Sequence, residues 1–403
     1  LIAIVGTGYS RVVQFSHFSV KEFLTSLRLS TSSGDVSRYH VALEPAHIVL
    51  AQACLGVLLR LDGRSVDGHI ENSYPLAVYA AEHWVPHAQF ENAASHLRNA
   101  MKSLFDPDKP QFAAWLQLYD IDNRLTISPF LEFTMGSNRG GSTPLYYAAR
   151  CGFQDLAKCL MDMHPYYVNA DGGQYVAPIV VALAAGLFQV AQLLYERGAD
   201  VDVQGHAKRT PLYGASGDGN LEIAQWLLSR GADPNIPGEI HRLAPLHLAA
   251  NCGHIEVARI LLRYHADRNP QNTIGLTPLH LASQGGHPKV VRLLLEHDVD
   301  ANTQDSAGKT PLHKASANGY HDVARLLLEH GVDVDALDKH LSTPLHLASH
   351  NGNSETVRML IEHGANVDAK NDEGRTALQL ALTKGHQEIT KLLSDHGPKS
   401  EVT

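Results

Sequence analysis

The sequence is 403 residues long, 44% hydrophobic and 19% charged, with a formal net charge of −9. That length allows two or three domains and a large core, and the composition suits a folded chain rather than a disordered one. An acidic balance with no local run of Lys or Arg argues against a general nucleic-acid binder, because phosphate backbones recruit cations.

Taken in chain order, LIAIV and RVVQFS, separated by Gly6 to Ser10, read as two strands of a β-hairpin. The opening is strand-like rather than a charged segment followed by a long apolar one, so it is not a signal peptide. With Leu1 in first place, the expectation is a piece of a longer chain. From His17 to Leu24 the pattern turns helical, and a Ser/Thr-rich loop at Thr31 to Gly34 follows. Amphipathic helices are predicted from Glu44 to Leu61, Pro75 to Gln89, Glu91 to Phe105 and Pro110 to Tyr119, with a connector reaching Gly141. The longest apolar run, Ile48 to Leu61, is interrupted by Gln52 and Arg60, so no segment spans a bilayer. Cys54, Cys151, Cys159 and Cys252 lack any framework spacing, and Cys54 and Cys159, in helical apolar surroundings, read as small core residues in a reducing compartment, the cytoplasm.

Beyond Gly141 the chain repeats itself. Thr-Pro-Leu-His begins at Thr277, Thr310 and Thr343, with Ala-Pro-Leu-His at Ala244. Weaker copies begin at Thr143, Ala177, Thr210 and Thr376, so that eight units recur every 33 or 34 residues. Each residue type has a task. The Thr hydroxyl caps a first helix, and Pro occupies the first turn, where no N–H is needed. Leu279 and Ala282 face the neighbouring helix, and glycines such as Gly253, Gly286, Gly319 and Gly352 end it. A second helix then presents Val290, Leu293 and Leu294 on one stripe and breaks at Gly198, Gly231, Gly331, Gly364 or Gly397. A projecting turn joins each unit to the next. The nearly all-apolar copy from Ala177 to Leu194 should lie deep in the stack, and the last copy, with Lys384, Gln387, Glu388, Thr390 and Lys391, fits a polar cap.

This period and phrase resemble the ankyrin repeat. The implied fold is all-α: an ankyrin-repeat solenoid of about eight repeats, preceded by a small helical domain with a short N-terminal β-hairpin. QFSHFSVKEFL, EPAHIVLAQACLGVLLRL, YPLAVYAAEHWVPHA and FDPDKPQFAAWL resemble the region between the NTPase core and the repeats in fungal NACHT-type signalling proteins of the STAND class. That resemblance implies the end of a winged-helix module over residues 1–30, a helical linker over 31–141 and the repeats over 142–403. The NTPase core itself is absent from these residues, so no ATPase role carries over.

Motifs that invite catalysis fail on context. Gly6-x-Gly8 follows a strand, but Arg11 stands where a dinucleotide site needs a small residue, and VVQFS continues as strand. Gly136 to Thr143 has phosphate-loop spacing without its lysine. Ser216 lacks the last glycine of a nucleophile elbow, and Glu82, His83, Trp84 and His87 read as an aromatic helix stripe with polar tips. The 25 histidines fall mostly at repeat positions: His247, His280, His313 and His346 in the phrase, and His297, His330, His363 and His396 ending second helices. Equivalent atoms in neighbouring repeats lie roughly 8–10 Å apart, too far to share one metal ion. Hydrogen bonds to adjoining turns and the helix dipole explain them better. Catalytic residues, metal and cofactors are therefore all expected to be none.

What remains is a binding surface. In ankyrin proteins a partner meets the concave side, made of projecting turns and first helices. That resemblance assigns His206, Arg209, Ile240, His241, Leu243, Thr273, Ile274, Leu276, Lys309, Lys339, His340 and Arg375 on the turns. First-helix positions add Asn251, Gln284, Asn318, His350 and Asn351. Ile240, Leu243, Ile274 and Leu276 stand out, since apolar residues on neighbouring turn tips suggest a contact patch. The expected partner is a protein ligand, or the NTPase core in cis, and neither nucleic acid nor membrane. The function read from the sequence is a non-enzymatic interaction scaffold, the sensor arm of a NACHT-type receptor. The alternative is the regulatory tail of an NTP-hydrolysing switch.

Overall fold

The computed structural model describes residues 2–5, 12–15, 43–61, 77–90, 92–119, 143–170, 172, 177–205 and 208–396. The Gly6–Gly8 turn, the helix expected at His17–Leu24, the loop at Thr31–Gly34, the glycines from Gly136 to Gly141, His206 and Gly397 lie outside the described residues. β1 (Ile2–Val5) pairs antiparallel with β2 (Val12–Phe15), Ile2 opposite Phe15 and Val5 opposite Val12. The other regular structure is helical.

Four helices come first: α1 (Leu43–Leu58), α2 (Ala77–Ala88), α3 (Ala93–Leu104) and α4 (Pro110–Leu118). From Pro144 a short first helix and a short second helix alternate: α5 (Pro144–Arg150), α6 (Gln154–Met163), α7 (Pro178–Ala184), α8 (Phe188–Glu196), α9 (Pro211–Asp218) and α10 (Leu221–Ser229). The series continues through α11 (Pro245–Asn251), α12 (Ile255–Arg263), α13 (Pro278–Gly285), α14 (Pro288–Leu295), α15 (Pro311–Asn318) and α16 (His321–Glu329). It ends with α17 (Pro344–Asn351), α18 (Ser354–Glu362), α19 (Ala377–Lys384) and α20 (Gln387–His396). Helices this short are marginal alone, so stacking must hold them.

The chain forms two compact units. The first gathers α1 to α6 with α8, and the second gathers α7 with α9 to α20. In the first, α1 packs on α2 and α3. Its core is aromatic: Trp84 stacks on Phe153 at 5.4 Å between ring centroids and meets Trp115 edge-on at 5.4 Å. Phe105 and Tyr147 lie 5.5 and 5.9 Å from Trp115, and the Trp115 indole N–H donates to the Ala81 carbonyl at 3.1 Å. Rings of the four-helix segment thus share one core with rings of α5 and its following turn.

In the second unit the first helices from α9 to α19 pack in sequence order, as do the second helices from α10 to α20. Thr210, Thr277, Thr310, Thr343 and Thr376 are extended and cap their helices through the hydroxyl, with Pro in the first turn of all but α19. Leu279, Ala282, Val290, Leu293 and Leu294 are buried, as are their counterparts Val323 and Leu327. Each full burial of a Val or Leu contributes about 1.5–3 kcal/mol, which is what a lone repeat could not obtain. All seven residues of α7 are buried. Lys384, Gln387, Glu388 and Lys391 of the last copy are exposed, and so is Leu382.

Glycine is required twice over where first helices end. Gly253 and Gly352 have φ of +75° and +81°, and a Cβ on them would lie 2.6 and 2.7 Å from the rings of His287 and His386. Where second helices end, Gly231, Gly331 and Gly364 take positive φ, but His265 (φ 64°) and Asp298 (φ 55°) hold the same place without glycine.

Candidate partner-binding face

The projecting turns of the second unit are built by one local device. Asn272 Oδ1 accepts from the amides of Ile274 (3.0 Å) and Leu276 (2.9 Å). Asp305, Asp338 and Asn371 do the same for Ala307 and Lys309, His340 and Ser342, and Glu373 and Arg375, at 2.8–3.2 Å. An Asx side chain bonding forward two and four residues sets a tight turn. The tips are then joined to each other. Thr273 N–H donates to the His241 carbonyl at 3.0 Å, Ser306 to Ile274 at 2.9 Å, Lys339 to Ala307 at 3.0 Å and Asp372 to His340 at 2.9 Å. Five turns therefore present one hydrogen-bonded row.

Behind that row, the phrase histidines tie each first helix to the next turn. Nε2 of His247, His280, His313 and His346 meets the carbonyls of Leu276, Lys309, Ser342 and Arg375 at 2.9–3.1 Å. Nδ1 of each accepts from the backbone N–H at the start of its own helix, at 3.0–3.2 Å. With Nδ1 accepting, Nε2 carries the proton and donates, so the ring is neutral. Burial pushes the His280 imidazole down to about 4, and lowers His247, His313 and His346 likewise. A second set reaches backwards: His254, His287 and His386 meet the carbonyls of Gly217, Asn251 and His350 at 2.9–3.1 Å. The helix-end residues His297, His363 and His396 contact their own helix carbonyls of Leu293, Met359 and Leu392 at 2.8–2.9 Å.

The residues expected to bind a partner mostly fall on this row and its helix ends. His241, Thr273, Lys339, His340, Asn251, Gln284, Asn318, His350 and Asn351 are exposed, and Leu243, Lys309 and Arg375 are half-buried. Ile240 and Ile274 are 49% and 51% exposed on adjoining turns. Arg209 lies over the Tyr213 ring at 5.4 Å, and His206 is outside the described residues. Asn318 and Asn351 also brace the stack, donating to the carbonyls of Gln284 and Ala317.

Leu276 needs correction: it is buried at 7% exposure and cannot join an exposed patch. It closes its turn, its amide bonded to Asn272 and its carbonyl to His247, and its side chain points inward. Several surface residues escaped sequence reading. Leu337 and Leu341 are 47% and 48% exposed on the turn before α17, and Arg242 is exposed beside His241, both with positive φ. In α15, Lys314 reaches the nearly buried Asp305 carboxylate at 2.7 Å. Burial alone would raise that carboxyl, but the Lys314 ammonium and the Lys309 and Ala307 amides hold it below the usual carboxylate range. Along the row, Ile240 and Ile274 stand beside the exposed His241, Arg242 and Thr273, followed by neutral Ser306 and Ala307, then Lys339 and His340, then Asp372 and Glu373. Such an uneven row can orient a bound chain.

The reactive groups elsewhere are quiet. The Cys54 thiol is buried and pushed up to about 11, so it stays protonated at neutral pH. Nδ1 of His87 meets Nδ1 of His47 in α1 at 2.7 Å, His83 stacks on Tyr79, and Trp84 lies among the core rings, so this stripe is taken up in packing. Among the described residues no group of three or more His, Cys, Asp or Glu could hold a metal ion, and no helix is long and apolar enough to cross a membrane.

Family models of ankyrin repeats match residues 179–228 and 213–262, and 246–338 and 336–403. Together they cover more than half of the chain, which belongs to the ankyrin-repeat proteins. It is also similar to the azaphilone pigments biosynthesis cluster protein L of Monascus ruber, 28% identical over 199 residues. The alignment takes in 47% of this chain and 41% of that protein, so less than half of the curated relative is matched.

Proposed function

We propose that the chain is a non-enzymatic protein-interaction scaffold of eight ankyrin repeats, from residue 142 to 403, whose turn tips and first helices form a concave binding face. The observation that carries this reading is the hydrogen-bonded row of tips with Ile240 and Ile274 standing half-exposed on adjoining turns. A rigid row keeps these side chains in place before binding, so little ordering entropy is lost on contact. His241, Leu243, Thr273, Lys309, Lys339, His340 and Arg375 complete the tips, with His206 and Arg209 at the preceding turn. Asn251, Gln284, Asn318, His350 and Asn351 form the helix side. Ile240→Asp with Ile274→Asp should abolish crosslinking of a partner to a photoreactive residue placed at Thr273, with helicity unchanged. Undiminished crosslinking to that position would remove the tips from the binding face.

The receptor reading rests on the phrases of residues 14–24, 44–61, 74–88 and 105–116. On it, residues 1–30 are the end of a winged-helix module, 31–141 a helical linker, and the whole protein a cytoplasmic NACHT-type signalling receptor. The partner is then a protein ligand or the receptor's own NTPase core. Sequencing the transcript upstream of Leu1 separates the two ideas. A strand followed by a phosphate-binding GxxxxGK[ST] segment supports the receptor, and a nearby stop codon leaves an ankyrin adaptor alone.

A further inference from the structure

A second surface, away from the turns, carries its own chemistry. On the second helices the fifth residue is a cation in five successive repeats: Arg259, Arg292, Arg325, Arg358 and Lys391. The second residue is an acid in α10, α12, α16, α18 and α20, as Glu222, Glu256, Asp322, Glu355 and Glu388. Acid and base three apart on one helix face neutralise each other. Arg259 meets Glu256 at 3.5 Å, Arg325 meets Asp322 at 3.4 Å, and Arg358 meets Glu355 and Glu388 at 3.6 and 3.7 Å. From α10 to α20 only α14 breaks the pattern, with Lys289 standing where the acid belongs. Arg292 has lost its partner, and neither it nor Lys289 makes an ion pair among the described residues.

The break coincides with a groove. Ile255, Arg259, Lys289, Arg292, Leu293 and Glu296 line a shallow cleft of about 130 Å³ between α12 and α14. Three cations and the Glu296 carboxylate line it, with Glu256 on Arg259, which leaves Lys289 and Arg292 as the local cationic excess in a chain whose net charge is −9. Ile255 is half-buried and Leu293 is buried beneath the charges, giving the cleft an apolar floor. Lys289 and Arg292 are exposed above that floor and make no ion pair among the described residues, so they add no pairing energy to the fold and are open to an outside anion.

We propose that this cleft binds an acidic peptide segment in an extended, polyproline-II-like form. Arg259 and Arg292 occupy equivalent positions on stacked helices, roughly 8–10 Å apart. A polyproline-II chain turns once every three residues and rises about 3.1 Å per residue, so anionic side chains at i and i+3 share one face about 9 Å apart. One such side chain would meet Arg292, with Lys289 adding charge, and the other would meet Arg259 in exchange for its exposed contact with Glu256. Guanidinium groups suit this because they hold carboxylate or phosphate oxygens two at a time.

The test uses the full chain and a fluorescein-labelled proline-rich peptide with glutamates at i and i+3, read by fluorescence anisotropy at low salt. A second peptide with phosphoserine at both positions distinguishes phosphate from carboxylate, and should bind more tightly. Lys289→Glu with Arg292→Glu, and more mildly Lys289→Gln with Arg292→Gln, should weaken binding by about tenfold or more with unchanged circular dichroism. Arg358→Glu, in the paired part of the row, should leave it unchanged. Absence of binding by both peptides, or an equal loss in Arg358→Glu, would overturn the proposal. So would a single-stranded RNA that outcompetes both peptides at the same cleft.

Discussion

The two units of the molecule solve one problem, burying short helices, by different chemistry. The first relies on rings: Trp84, Phe105, Trp115, Tyr147 and Phe153 fill one contiguous core. The second, from Ala244 onward, adds directional bonds, each phrase histidine reaching forward and each of His254, His287 and His386 reaching back. At the phrase position of the earlier copies stand Tyr146, Val180 and Tyr213. Apolar packing tolerates approximate geometry, whereas a buried imidazole bonded on both nitrogens fixes register and spacing. Turn tips bonded one to the next need reproducible spacing, and the histidine-linked region carries that row.

The largest effect should come from breaking the aromatic side of this contrast. Trp84→Ala is expected to cost about 3–5 kcal/mol, by analogy with other buried aromatic truncations, while the imidazole NMR signals of the second unit persist. Simultaneous loss of both would show that the two kinds of packing are not separable. Acid should act on the other side. An unfolded histidine titrates near 6.5, and His280 in the fold near 4, so the folded chain binds fewer protons between those values. Stability from His280 is therefore complete above about pH 6.5 and drains as pH falls toward 4, by on the order of 3 kcal/mol, with His247, His313 and His346 adding in the same direction. Denaturant titrations at a series of pH values measure this directly. A flat profile from pH 7 to 4.5 would show that the buried histidines do not hold the fold.

Smaller changes sharpen the comparison. His313→Ala leaves the Ser342 carbonyl and the Thr310 amide without their partner and should cost about 2 kcal/mol in chemical denaturation. In the opposite sense, Asp298→Gly relieves a left-handed backbone that neighbouring repeats assign to glycine, and should raise stability by about 1 kcal/mol. A loss instead would mean that the Asp298 side chain makes an interaction worth more than the strain.

The phrase Thr-Pro-Leu-His states its own capping chemistry, so the first helices and the partners of His247, His280, His313 and His346 were legible. Leu276 was not. An apolar residue in a turn reads as exposed, yet its place just before Thr277 turns the side chain inward while its backbone closes the turn. His254, His287 and His386 follow glycine in the sequence, but only packing shows that they lie over the glycine of the preceding repeat. The shared core of Trp84 and Phe153 was hidden for the same reason, since residues 69 apart in sequence carry no periodic signal of contact.

The most direct test is the state of the His280 ring. Nitrogen-15 NMR of the imidazole, followed from pH 8 to 4, reports tautomer and charge together. The ring is expected to be neutral, with its proton on Nε2 and a bare Nδ1, unchanged through pH 6.5 and titrating near 4. A ring that protonates near pH 6.5, or carries its proton on Nδ1, would contradict the hydrogen-bonded linkage on which the ordered row of turns depends.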